Sequence, residues 1–276
     1  MGHDGGTASR LFFAVVGDTR PATLDDTAGY PSRVVSTIFG DIAAMHPRPA
    51  WVVSTGDYVF ASASRGQAEP QLDVYLQARA RFAGPLFPAL GNHECTGATA
   101  SNCGPGAADG EPANYLAFVR KMLAPIAESA PYYAIRVDAS DRRWSAKTVF
   151  VAANAWSTAQ ASWLDEALSP ATTYTFVVRH EPASADTAPG VDPSEAILAR
   201  HPYTLAIVGH SHTYRRERRE VLVGNGGAPL TSKDYGFAVI SQRPDGALDV
   251  DMIDWQSGLA DASFHFAVLS DGTGAR

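Results

Sequence analysis

At 276 residues the chain has room for one large domain or two ordinary ones, and it can bury a full core without metal or disulfide staples. Its 45% hydrophobic and 18% charged residues, with 24 Gly and 18 Pro spread along it, exclude a coiled coil, a collagen and a disordered acidic polymer. The net charge of −7, from 22 Lys and Arg against 29 Asp and Glu, argues against a surface built to grip nucleic acid or an anionic membrane. No apolar run approaches the ~18 residues of a membrane span.

The start, Met1-Gly2-His3-Asp4-Gly5-Gly6, lacks the basic-then-apolar form of a secretory signal. Residues 11–16 form the first short apolar run, which reads as a strand buried on both faces, and a helical pattern follows at 32–45. A second strand at 51–54 leads into a polar stretch at 61–71 that reads as a surface loop, then a third strand at 86–90 and a second loop at 96–112. Behind Pro112, the spacing of Tyr115, Phe118, Val119, Met122, Leu123 and Ile126 predicts a helix over 115–126. After a strand at 148–152, Ser157 and Gln160 read as a capping box opening a helix that runs to Leu168 and stops at Pro170. Strands at 174–178 and 204–208 flank a third loop at 182–193. The chain closes on a hairpin, 235–241 and 248–253, joined by Arg243-Pro244-Asp245-Gly246. The alternation of strand and helix gives α/β layering, read as a single domain over 1–276 with its core at about 10–255.

Cys95 and Cys103 bracket the polar loop between them. A disulfide there would suit an exported protein whose leader has been removed; two free thiols of a cytosolic loop are the other reading. A zinc site lacks the second pair of ligands it needs.

Several strand ends finish in metal-ligand residue types: Gly17-Asp18-Thr19-Arg20, Gly56-Asp57, Gly91-Asn92-His93-Glu94 and Arg179-His180-Glu181, followed by Gly209-His210-Ser211-His212 after the strand at 204–208. Carboxyl ends of parallel strands converge on one crevice, so Asp18, Asp57, Asn92, His180, His210 and His212 form a candidate ligand set. A lone histidine is more often structural, and His3, His46, His201 and His265 take that reading. Trp51, Trp144, Trp156 and Trp163 read as core or interface aromatics and Tyr214 as strand packing, while Arg215, Arg216, Arg218 and Arg219, interleaved with Glu217 and Glu220, read as a solvated strand or turn.

This ordered series, Asp, then Gly-Asp, then Gly-Asn-His-Glu, then His, then Gly-His-Ser-His, resembles the calcineurin-like metallophosphoesterases, the superfamily that includes purple acid phosphatases. The resemblance spans Asp18 to His212. It implies a fold of two mixed β-sheets packed as a sandwich flanked by helices. It also implies two divalent or mixed-valence metal ions, Mn, Zn or Fe, the first held by Asp18, Asp57 and His212 and the second by Asp57, Asn92, His180 and His210. Asp57 is then the bridge that two cations roughly 3.5–4 Å apart require. The implied activity is hydrolysis of phosphate esters by a hydroxide between the cations, on a small phosphorylated substrate, a phosphomonoester first and a small or cyclic diester as the alternative. His93 would contact phosphate and protonate the leaving oxygen, and Glu94 would orient the site or form a surface ion pair.

Two departures from the pattern stand out. Where many members carry a histidine two residues after the first Asp, this chain has Arg20, which cannot ligate and reads either as a phosphate clamp or as half of a structural ion pair. Where purple acid phosphatases place a tyrosine three residues after the bridging Asp, this chain has Phe60, and Tyr58 is too close to Asp57 to substitute. The first metal site is thereby depleted, which keeps a non-catalytic metal-binding scaffold as a further reading.

Overall fold

All five side chains of β2 (Phe12–Val16) are buried, so the strand runs through the middle of a layered structure with both faces covered. The computed structural model describes residues 3–231 and 233–275. In chain order the other strands are β1 His3–Ala8, β3 Val52–Ser54, β4 Leu86–Pro88, β5 Tyr133–Ala139, β6 Ser145–Val151, β7 Tyr174–Arg179, β8 Leu205–Val208, β9 Tyr214–Glu217, β10 Glu220–Val223, β11 Gly236–Gln242, β12 Leu248–Asp254 and β13 Ala260–Val268. The α-helices are α1 Ser32–Ala44, α2 Ala68–Arg79, α3 Ala113–Phe118, α4 Thr158–Leu168 and α5 Val191–Leu198.

Among the described residues the strands form two mixed sheets, one in the order β1-β5-β6-β7-β8-β10-β9 and the other β13-β12-β11-β2-β3-β4. β6, β7, β8 and β10 run parallel in the first, and β2, β3 and β4 run parallel in the second. The period of two along each strand divides the side chains between layers. On β6 and β7, Phe150, Phe176 and Val178 enter the main core. Val149, Val151 and Val177 turn the other way and pack with Leu164 and Leu168 of α4 and Ile197 and Leu198 of α5. Phe13 stacks on Trp51 at 5.2 Å and meets Phe176 of the other sheet edge-on at 5.2 Å, so aromatic packing joins the two sheets. On the far side, α1 buries Val35, Ile38, Phe39 and Ile42, and Phe39 meets Tyr75 of α2 edge-on. The architecture is therefore the helix-flanked sandwich expected from the resemblance. No helix among the described residues is long and apolar enough to cross a membrane.

Several sequence readings need correction. The loop at 61–71 ends before α2 begins at Ala68, and α5 begins inside the stretch 182–193. The helix expected over 115–126 stops as α-helix at Phe118, widens to a π turn over Val119–Leu123 and ends as a 3-10 turn over Ala124–Ile126. Pro125 explains this: it lacks the N–H that would bond back to Lys121, and its ring crowds that carbonyl. The capping box is half present. Ser157 Oγ accepts from the Gln160 N–H at 3.1 Å, but the Gln160 amide turns inward to Ala152 and Ala155. β1 and β13 extend the sheets beyond the expected core limits.

Lys147 of β6 is buried and donates to three carbonyls at the end of α4, Ala167 at 2.9 Å and Leu168 and Pro170 at 2.7 Å each. These are carbonyls that a helix terminus leaves without partners, and a cation favours that end of the helix dipole. Lys147→Met is expected to cost about 2 kcal/mol in equilibrium urea unfolding, the scale of charge-assisted hydrogen bonds lost from a buried site. An unchanged midpoint would show the ammonium to be dispensable.

Candidate metal centre

The connections that leave β2, β3, β4, β7 and β8 bring Asp18, Asp57, Asn92, His93, His180, His210 and His212 to one end of the sandwich, where the parallel strands of both sheets finish. Asp57 stands in the middle. Its Oδ1 lies 3.3 Å from His180 Nε2, and its Oδ2 lies 3.6 Å from Arg20 Nε and 3.7 Å from His93 Nε2. Asn92 Oδ1 is 3.1 Å from both His180 Nε2 and His210 Nδ1. Asp18 Oδ1 is 3.6 Å from His212 Nε2, and the two Asp18 oxygens accept from the His210 N–H at 3.1 and 3.0 Å. Donor atoms of Asp18, Asp57 and His212 all fall within 4.8 Å of one another, and those of His180, Glu181 and His210 do the same. The structure thus brings together all six expected ligands and adds one residue that the sequence reading passed over, Glu181.

Backbone strain is concentrated here. Asp18, Asp57, His210 and His212 have φ of 55°, 59°, 71° and 42°, the left-handed region that a side chain rarely adopts and that gathers at functional sites. Gly56 has φ of 105°, and a Cβ there would sit 2.8 Å from Gly91 N and 2.9 Å from His180 Nδ1. A glycine is what lets β3 deliver Asp57 this close to His180.

A supporting layer fixes the donors. His180 Nδ1 and His212 Nδ1 each lie 2.8 Å from a carbonyl oxygen, of Thr55 and Pro229 respectively. A carbonyl only accepts, so each imidazole carries a proton on Nδ1 and turns Nε2 to the centre. Asn92 Nδ2 donates to Ala98 O at 3.0 Å, which aims Oδ1 inward, and the loop carrying Ala98 is closed by a Cys95–Cys103 disulfide. Glu94 is fully buried and forms no surface ion pair. Its carboxylate accepts from the N–H groups of Asp57, Tyr58, Val59 and Gly91 at 2.8, 2.6, 3.1 and 2.9 Å, tying the β3 and β4 connections together. Gln71 of α2 holds both the N–H and the carbonyl of Phe60, and Asn114 of α3 donates to the carbonyls of Ala61 and His93. Nothing in the sequence pattern marks those two amides as parts of a site.

Charges in the centre are strongly coupled. Burial would raise Asp57, but His180, His93 and Arg20 hold its carboxyl well below the carboxylate range. Burial raises Asp18 well above that range, with the charge of Asp57 adding to it. His180, which burial alone would lower, is held well above its usual value by Asp57 and Asp18. Burial pushes His93 to about 4 against the pull of Asp57, and burial with neighbouring His180 pushes His210 to about 4. Burial and the charge of Asp57 lift Glu94 to about 7.

Arg20 lies over the Phe60 ring, 4.7 Å from its centroid, and Phe60 in turn meets His93 edge-on at 4.7 Å. Its Nη2 is 3.4 Å from His212 Nε2, and its Nη1 donates to Pro21 O. Tyr58 turns into the core, where its hydroxyl donates to Ala89 O and its ring packs on Tyr75 and Phe118. His46 lies against the Met45 carbonyl, His201 against Asp165 and His265 against Asp251. The side chain of His3 lies outside the described residues. Tyr214 of β9 is buried against Phe264 of β13, and in the β9–β10 hairpin Arg216 and Arg218 are exposed while Arg215 and Arg219 are half-buried.

The donor set fits divalent cations: imidazoles, carboxylates and one amide oxygen converge without thiolate, unlike a closed thiolate-bound structural site. A two-sheet sandwich with such donors at its strand ends defines the metallophosphoesterase class. The calcineurin-like phosphoesterase family model matches residues 13–214, and the chain belongs to that family. Similar solved structures include a purple acid phosphatase from yellow lupin (16% identity, TM-score 0.71, covering 96% of this chain and 54% of that one). GAP50, the anchor in the inner membrane complex of Plasmodium, is 14% identical with a TM-score of 0.63, over 95% of this chain and 90% of that one. A dimetal phosphatase from Danio rerio is 13% identical with a TM-score of 0.61, over 94% and 99%. At these identities the likeness is one of fold, and the chain spans about half the length of the lupin enzyme. No curated protein matches the sequence.

Proposed function

We propose that the chain hydrolyses phosphomonoesters at a dinuclear centre in which Asp18, Asp57 and His212 hold one cation and Asp57, Asn92, His180 and His210 the other. The observation that carries this reading is the position of Asp57, whose two oxygens face different donor groups, Oδ1 toward His180 and Oδ2 toward Arg20 and His93. When bound, the cation pair supplies an acidified water as nucleophile and neutralises charge on the phosphoryl oxygens.

The remaining work belongs to side chains. Arg20 is stacked on Phe60 with its Nε 3.6 Å from Asp57 Oδ2, and with Asp57 engaged by cations its guanidinium would be left to pair with phosphate oxygens. His93 lines the same edge. Burial keeps its imidazole neutral in the resting site, and an incoming phosphate dianion supplies the negative charge that draws a proton onto it, for delivery to the leaving oxygen.

A second reading, a metal-binding scaffold without turnover, is favoured by Arg20 itself, whose Nη2 stands 3.4 Å from the ligand nitrogen of His212. One experiment separates the readings. Protein dialysed against EDTA and reloaded with Mn, Zn or Fe is assayed on p-nitrophenyl phosphate and its bis-ester. Expected are loss of turnover with the metal, recovery at about two equivalents, and preference for the monoester. Two bound equivalents with no turnover on either ester would establish the scaffold instead, and preference for the bis-ester would make the protein a phosphodiesterase.

A further inference from the structure

We infer that Glu181 is a ligand of the cation held by His180 and His210, and that it makes this position the tighter of the two. The inference rests on the dinuclear reading above and adds a residue to it. Glu181 directly follows His180 beyond the end of β7 and is fully buried. Neither of its carboxylate oxygens reaches a hydrogen-bond partner on another residue. One carboxylate oxygen lies within 4.8 Å of donor nitrogens of both His180 and His210.

Glu94 shows what a buried structural glutamate looks like in this molecule: four backbone N–H groups surround it. Glu181 has no such cradle. The neighbouring cation is committed elsewhere, because Arg179 Nε donates to the backbone carbonyl of Glu181 at 2.8 Å, Nη1 donates to Ser194 Oγ at 2.7 Å, and Nη2 pairs with Glu195 Oε1 at 2.8 Å. Arg179 therefore pins the backbone of Glu181 and leaves its carboxylate free. Burying a carboxylate without a partner is costly, and proteins do so where a metal or an opposite charge completes the site.

The consequence is an asymmetric centre. Asp57, Asn92, His180, His210 and Glu181 surround one cation, while the other has Asp18, Asp57 and His212 with Arg20 pressed against it. Extra charged oxygen tilts the position that holds Glu181 toward Mn or Fe in the divalent state. Filling is then ordered, with the cation of Asp18, Asp57 and His212 exchanging more readily.

The test is a titration of metal-free wild-type protein and Glu181→Gln with Mn(II), counting free ion by electron paramagnetic resonance, with thermal unfolding recorded in EDTA and in Mn(II). Wild type is expected to bind a tight and a weaker equivalent, and Glu181→Gln to weaken the tight one by about 10- to 100-fold while leaving the weaker one in place. In EDTA the variant is expected to melt no lower than wild type, since it loses a buried unpaired charge, and to gain less on adding Mn(II). A variant that binds two equivalents with wild-type affinities, or one that melts lower in EDTA with an unchanged Mn(II) gain, overturns the role of Glu181 and leaves the dinuclear reading standing. Wild-type protein that fails to take up a second equivalent overturns both.

Discussion

Asp57→Asn is expected to lower kcat on a phosphomonoester by on the order of 10³-fold and to reduce the bound metal below two equivalents, because several kcal/mol of transition-state charge stabilisation passes through the cation pair. The substitution is nearly isosteric and its backbone is tolerant, since Asp57 sits at φ 59°, where asparagine is among the few residues at ease. The His93 N–H can still bond to the amide oxygen in place of the carboxylate it now reaches at 3.2 Å. Misfolding is thus a poor explanation for any loss. What disappears is the charge that answers His180, His93 and Arg20 and that two cations would share. His212→Ala makes the informative comparison, because it removes a ligand from one cation only and should leave about one equivalent bound. Wild-type turnover in Asp57→Asn, measured by steady-state kinetics beside metal analysis, would end the assignment.

The parts of the site that could be read from the sequence share a local signature. Asp18, Asp57, Asn92 and His210 each follow a glycine at the end of a short apolar run, and the glycine is there for a steric reason, as the contacts around Gly56 demonstrate. Buried parallel strands such as β2 and β3 announce themselves as unbroken apolar runs because both faces are covered. The division into two sheets is different. Strand and helix alternation alone predicts α/β layers, and only the family resemblance implied a sandwich, since pairing order depends on contacts distant in the chain.

The parts that stayed hidden lack a periodic or compositional mark. α2 buries Ala68, Gln71, Leu72, Tyr75 and Ala78, a face whose small and amide residues carry little apolar signal, so its start reads as loop. Yet Gln71 on that face clamps Phe60, the residue on which Arg20 rests. Glu181 was passed over for a related reason. A glutamate beside a histidine is ordinarily solvated, and only the packing reveals that both its oxygens are sealed in. Glu94 was open to two readings, orienter or surface ion pair, and burial decides for the first.

That decision carries the largest stability effect expected in the molecule. Glu94→Ala is expected to cost about 3–5 kcal/mol in urea-induced unfolding of the metal-free protein, because it strips the acceptor from four backbone N–H groups at once and each unsatisfied buried donor is worth about 1–3 kcal/mol. The sum falls short of four full penalties for two reasons. Water can enter the space the side chain leaves, and the variant no longer buries a carboxylate that its surroundings hold at about 7. Glu94→Gln should lie between, since its amide keeps one oxygen but turns an NH2 toward donors that cannot accept it. Turnover of the metal-loaded Glu94→Gln protein should fall by about 10- to 100-fold even where it is fully folded, because Asp57 and Gly91-Asn92 lose the shared anchor that sets their spacing. A Glu94→Ala protein as stable as wild type would mean that those four amides find other partners, and that the β3 and β4 connections hold the centre together without Glu94.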